Sequence, residues 1–290
     1  MALAILINGL VLGGGYAMLA LGFSLAFGVA RILNLAHTAF YMIAAYIIYA
    51  ATIMFGIHSL LSIILAILGA GVIGVACYKL CFDRVKEQMI TVLIISLALG
   101  MLFQEVVLVI FSGYSLGIAP FIPGFVEIAG VRVTYQHLFA VGASIVLLGG
   151  VWLLLLKTRL GNAIRAVSQD REIANLMGIN VSQIGLIVMG ISAALAGVAA
   201  VIVTPIYMAD PFMWMSTLII VLAAVVLGGF GSIVGSVTGA YILGFVETLV
   251  VFLLPMGGYL KGAIALTAMV VILLIKPEGL FGVVFEEERL

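Results

Sequence analysis

Apolar residues run through this chain in long blocks separated by short polar connections. A helix of about 20 apolar residues crosses the hydrocarbon core of a bilayer, and in lipid each segment must satisfy its own backbone hydrogen bonds. The blocks predict spans near 5–29, 38–55, 59–80, 90–111, 137–156, 184–206 and 260–276. Between the last two lies a Gly-broken apolar region at 216–254. Its first part, Ser216 to Gly228, is short for a span and runs into Gly-Gly-Phe-Gly. It reads as a tilted short span, a re-entrant half-helix or one leg of a broken helix.

Composition agrees with the pattern. Hydrophobic residues make up 66% of the chain and charged residues 8%, against roughly 25% charged in soluble domains. The expected fold is an all-α polytopic membrane protein with about 8–9 transmembrane helices. It forms one membrane domain, 1–290, with a polar loop at 157–183. The net charge of zero gives no reason to expect a nucleic-acid partner. The first cation, Arg31, falls after the first apolar run, so that run does not read as a cleaved leader.

Cations set the orientation. Arg31, then Lys79, Arg84 and Lys86, then Lys157, Arg159, Arg165 and Arg171 all fall on connections that share one side. The opposite connections among these spans carry only Arg132. The cation-rich side is expected in the cytoplasm, with the N-terminus outside. Nine spans would also bring Lys276 and Arg289 inside, and a cytoplasmic tail is expected. The acidic run Glu286 to Glu288 adds nothing to orientation, because acidic residues contribute little to it.

One segment breaks the apolar theme: Thr158 to Asn180 holds three of the twelve Lys/Arg, and Lys157 precedes it. Leu160, Ile164 and Val167 recur on one face of a short amphipathic helix, with Arg159 and Arg165 off that face. Asp170 is placed to cap a second helix beginning at Arg171, with Glu172 in its first turn. Gly178 fits the position that ends it. That two-turn helix would present Ile173, Leu176 and Met177 between polar residues; Ala174 lies within it. A helix lying on headgroups usually has a broader apolar face and little acid, so this one reads as docking into a protein groove.

Polar residues at membrane depth are candidates for the solute route, because they are costly there. Gln104 and Glu105 lie in the fourth span and Glu247 in the Gly-broken region. A charge at a helix centre costs roughly 2.5–3.5 kcal/mol on insertion scales, so both Glu should face protein or water. Asn34 and His37 read as substrate-side or gate groups, with backbone capping by Asn34 or Thr38 as the plainer alternative. Asn8 reads as a helix–helix hydrogen bond, and Trp152 and Trp214 as interfacial anchors. The Gly clusters around Gly14 and Gly229 either expose backbone to solute or allow close helix packing. The small-residue run Gly190 to Gly197 reads as packing.

Catalytic motifs are weak. Gly113-Tyr-Ser115-Leu-Gly117 matches a nucleophile-elbow pattern but lacks the strand that this elbow requires. Cys77 and Cys81 are too few for a structural zinc site and sit where the cytosol disfavours a disulfide. No Lys follows a Gly, so the Gly-Lys step of a phosphate-binding loop is missing. No catalytic residue and no metal are expected, and any nucleotide-driven work must come from another subunit.

The segment Glu172-Ile-Ala-Asn-Leu-Met-Gly178 resembles the coupling loop of ABC-importer permeases. Arg165 to Asn180, Asn34 to Tyr46, Val226 to Ser232 and Lys276 to Gly282 resemble, in order, landmarks of the branched-chain amino acid permease family, and most closely its H-type subunit. Thr38 stands where that family usually has Gly. The resemblance implies an M-type second permease, two cytoplasmic ATPases that bind ATP and Mg, and an external binding protein that delivers an amino acid. It implies that Asp170, Arg171, Glu172, Ile173, Ala174, Leu176, Met177 and Gly178 couple to the ATPase, in a cell inner membrane. Other readings are an autonomous secondary transporter or channel for a small polar solute such as urea or an amide, and an intramembrane hydrolase using Ser115 or a Glu pair.

Overall fold

The computed structural model describes residues 1–128, 130–276 and 278–281. Its helices are α1 (Ala2–Leu25), α2 (His37–Tyr49), α3 (Ser59–Cys77), α4 (Met89–Phe111), α5 (Tyr135–Lys157), α6 (Arg159–Gln169), α7 (Arg171–Leu176), α8 (Val181–Val203), α9 (Met213–Gly228), α10 (Ile233–Leu253) and α11 (Gly257–Ile275). Short π-helical turns prolong α1 to Ala30, α2 to Met54 and α3 to Phe82. Seven of these stretches are long and apolar enough to cross a membrane, and α9 and α11 add shorter apolar helices, so the protein is a multi-pass membrane protein. Between α4 and α5 an antiparallel hairpin pairs β1 (Phe125–Ile128) with β2 (Val131–Thr134). The hairpin was not expected: four-residue strands of mixed character leave no clear alternation to read.

α1 forms the centre of the bundle, and its glycines show why. A Cβ on Gly13 would sit 2.5 Å from Tyr241 of α10, and one on Gly14 would sit 2.7 Å from Ser144 of α5. One on Gly15 would collide with Val203 of α8. Three consecutive glycines thus admit three neighbours. In lipid, helices associate by van der Waals packing, and small residues let backbones approach. The Gly190–Gly197 run does the same on α8, where a Cβ at Gly197 would lie 3.0 Å from the Ile67 backbone of α3.

Between α1 and α2 the chain turns at Arg31, which adopts a left-handed conformation. Residues 32–36 then run, without helix, through the protein interior. Buried backbone groups outside regular helices need hydrogen-bond partners from the surrounding protein. Here Asn34 Oδ1 accepts from Ala36 N (3.0 Å) and Ser96 Oγ of α4 accepts from Leu35 N (3.1 Å). Thr38, on the first turn of α2, does not cap its own helix; its hydroxyl donates to the Trp214 carbonyl on α9 at 2.8 Å. Thr38→Val should therefore lower the thermal stability of the purified subunit by about 1 kcal/mol, the net worth of one hydrogen bond, measured as a lower melting midpoint.

Trp214 corrects an expectation. It is 1% exposed, not interfacial, because α9 begins inside the bundle and the indole packs over Gly100 of α4. Asn8 is likewise local: its amide donates to Ala4 O within α1, so it joins no second helix.

The ambiguous region at 216–254 becomes two helices, α9 and α10, folded back on each other through the turn at Gly229 and Gly231. Both have positive φ, +101° and +80°, where a side chain would be strained. The segment after α11 closes this turn. Leu280 N donates to Leu227 O (2.8 Å) and Phe281 N to Gly228 O (3.0 Å), satisfying carbonyls left open at the end of α9. Gly279 lies against Gly229, so two sequence landmarks far apart in the chain meet here. Gly282, the acidic run Glu286–Glu288 and Arg289 lie outside the described residues.

Candidate functional site

The polar segment after α5 folds into two helices joined by a single residue. Thr158 caps α6, its hydroxyl accepting from Gly161 N at 2.9 Å. Ile164 and Val167 of α6 are buried, while Arg159 and Arg165 remain exposed. Gly161 has no room for a Cβ because the carbonyls of Leu154 and Leu155 lie over it, which pins α6 to the end of α5. Asp170 then caps α7, Oδ1 accepting from Ile173 N at 2.9 Å. Glu172 lies in the first turn, where carboxylates favour the helix N-terminus. Gly178 closes the helix with φ +85°.

α7 is anchored on one side only. Ala174 is 4% exposed and faces the bundle, whereas Ile173, Leu176 and Met177 are 59%, 85% and 79% exposed. Arg171 is half-buried and Glu172 exposed. The neighbouring loop after α3 supports the unit: Asp83 pairs with Lys86 at 2.8 Å and lies 3.5 Å from the Ser182 hydroxyl at the start of α8. Buried Tyr78 packs its hydroxyl end against Gly185 of α8. These contacts join the segment after α3 to the start of α8, which follows α7 in the chain.

Within the membrane the polar candidates separate. His37 is buried and ties three helices, with Nε2 3.0 Å from Leu19 O of α1 and Nδ1 3.2 Å from Ser192 Oγ of α8. A carbonyl only accepts, so Nε2 carries the proton and the Ser192 hydroxyl donates to Nδ1. Asn34 is buried in the turn described above, and Gln104 Oε1 accepts from Trp214 Nε1 at 2.8 Å. Glu247 is 2% exposed and accepts from the Tyr16 hydroxyl at 2.7 Å, across α1 and α10. Glu105 alone among these points outward. Gly14 is enclosed between α1 and α5, and Gly229 lies in the turn that the C-terminal segment covers. Both are buried, where a small residue lets neighbouring backbone approach closely.

Ser115 does not sit on a strand-to-helix elbow. It follows α4 in a loop, not a strand, and its hydroxyl donates to Asp210 Oδ2 at 2.8 Å. Cys77 and Cys81 are free thiols, and no cluster of metal-ligating side chains occurs among the described residues.

Residues 5–274 match the family described as "Branched-chain amino acid transport system / permease component". The chain belongs to that family. It is 30% identical to the high-affinity branched-chain amino acid transport system permease protein BraD of Pseudomonas aeruginosa, over 96% of this chain and 94% of that one. It is 26% identical to LivH of Escherichia coli K12, a permease protein of the same description, over 95% and 94%. PsaBC from Streptococcus pneumoniae, solved in complex with a Fab, shares the fold with TM-score 0.55 at 15% identity, covering 94% of this chain and 92% of that chain.

In this permease component, sequence reasoning missed the braces Tyr16, Ser96 and Ser192. Each is a single hydroxyl within an apolar run, and its partner lies on another helix. Only Thr38 carried a signal, as a polar residue where the family usually has Gly.

Proposed function

We propose that this chain is the permease subunit of an ABC importer for branched-chain amino acids. With a second, M-type permease it forms the route across the membrane, as one transmembrane domain over 1–290. An external binding protein delivers the amino acid, and two cytoplasmic ATPases bind ATP and Mg and supply the energy. The family membership supports a transport role. The observation that carries the coupling is α7, a capped helix outside the spans with three apolar side chains left exposed among the described residues. Residues Asp170 to Gly178 dock into the ATPase, and nucleotide drives the route only through contacts that differ between its states.

Orientation follows the cations: α6 and α7 face the cytoplasm of a cell with its importer in the inner membrane. The N-terminus is outside, and counting α9 and α11 as crossings brings Lys276 inside. The test is uptake of labelled leucine into proteoliposomes holding both permeases and the ATPases, with loaded binding protein outside. Uptake is expected only with ATP in the lumen. Uptake that persists without ATP and without ATPases would instead make the protein an autonomous transporter or channel.

A further inference from the structure

α4 has two faces. Val92, Ser96, Gly100 and Val107 are buried against the bundle, while Ile94, Ala98, Met101, Glu105 and Val109 form an exposed stripe on the opposite side. The stripe is apolar except for one carboxylate, and that carboxylate lies at membrane depth. α4 has 23 residues, about 34 Å of helix against a hydrocarbon core of about 30 Å. Glu105 sits six residues before Phe111, about 9 Å from the nearer end.

Two features hold it there. Helical side chains tilt toward the helix N-terminus, which directs Glu105 away from the nearer end. Gln104, its neighbour, is tied to buried Trp214 by the 2.8 Å indole bond, and Gly100 sits under the same indole. The helix cannot roll to bring Glu105 inside. Lipid is a poor surrounding for this side chain, and ionisable residues within spans face bundle interiors or water-filled cavities.

We propose that the outward stripe of α4 faces the second permease subunit and is this chain's wall of the translocation route, with Glu105 meeting the ammonium end of the passing amino acid. This rests on the reading of the chain as one of a permease pair. It separates the two membrane carboxylates: Glu247 is enclosed with Tyr16 inside the subunit, and Glu105 opens onto the shared lumen. The zwitterion suits such a wall, since its cationic end gains a partner while its side chain meets aliphatic surface.

The test uses the complete transporter in proteoliposomes, with Cys77→Ala and Cys81→Ala removing the native thiols. In this background, Glu105→Cys is expected to react with a charged, membrane-impermeant methanethiosulfonate at least tenfold faster than Leu68→Cys on the exposed face of α3. Loaded binding protein should slow it. Reaction at position 105 only with a lipid-soluble maleimide, or at the same rate as at position 68, would overturn the assignment. In the native-cysteine protein, Glu105→Gln should lower uptake at least tenfold, and Glu105→Asp, which keeps the charge, should lower it less. Full uptake by Glu105→Gln would remove the role for the charge. Wild-type uptake in the same vesicles reports on the importer reading separately, so its loss is distinguishable from failure at position 105.

Discussion

Leu176→Asp leaves the membrane bundle folded and lowers ATP-driven uptake at least tenfold. Leu176 is 85% exposed at the end of α7, and exposed substitutions away from special features usually change stability by less than about 0.5 kcal/mol. The melting midpoint of the isolated subunit should therefore not move. Docked in an ATPase cleft, the same leucine would contribute about 1.5–3 kcal/mol by burial. An aspartate there loses that contribution and adds an unpaired buried charge. A loss of about 1.4 kcal/mol is already tenfold in affinity, so ATPase recovery on co-purification should fall with uptake. Gly178→Val acts more weakly: nothing surrounds the site, but φ +85° strains a β-branched residue by about 1–2 kcal/mol. Glu172→Lys opposes the helix dipole and should be weaker again, by about 0.3–1 kcal/mol. Normal uptake in all three variants would remove α7 from the docking surface.

Gly244→Val should have the largest effect on folding. A Cβ at 244 would lie 2.6 Å from both N and Cα of Gly13, backbone atoms of the central helix α1. A flexible side chain could yield, but these atoms cannot. Overpacking of a core costs about 1–3 kcal/mol, and parting α1 from α10 also strains the Tyr16–Glu247 bond between them. The melting midpoint in detergent is expected to drop by several degrees, with lower yield from membranes. Gly142→Ala is the matched control, since nothing lies within 4 Å of its added Cβ. Replacing a helical glycine there should be neutral or gain about 0.5–1 kcal/mol. Equal behaviour of the two variants would mean that the α1–α10 contact is looser than described.

What the sequence made legible follows from range. Spans were readable because apolar length is local: the first was expected near 5–29 and runs as Ala2–Ala30. The two polar helices were readable for the same reason: the first from the short-range recurrence of Leu160, Ile164 and Val167, the second because Asp170 and Gly178 act on backbone a few residues away. Trp214 shows the limit. A tryptophan near the start of an apolar run normally marks an interface, and only Gly100, Gln104 and Thr38, each distant in sequence, make it a core residue. The membrane polar residues fail likewise. Gln104 and Glu105 are adjacent in sequence, yet helical geometry points one at Trp214 and the other away from the bundle. Composition could name both as costly, but it could not say which one is partnered.

The most direct test of ATPase coupling places a photo-reactive benzoylphenylalanine at Leu176 in the assembled transporter within native membranes. Irradiation is predicted to join this chain to the ATPase subunit, with a yield that changes when ATP is replaced by a non-hydrolysable analogue. Adducts with lipid alone, or with the ATPase at a yield blind to nucleotide, would contradict the account.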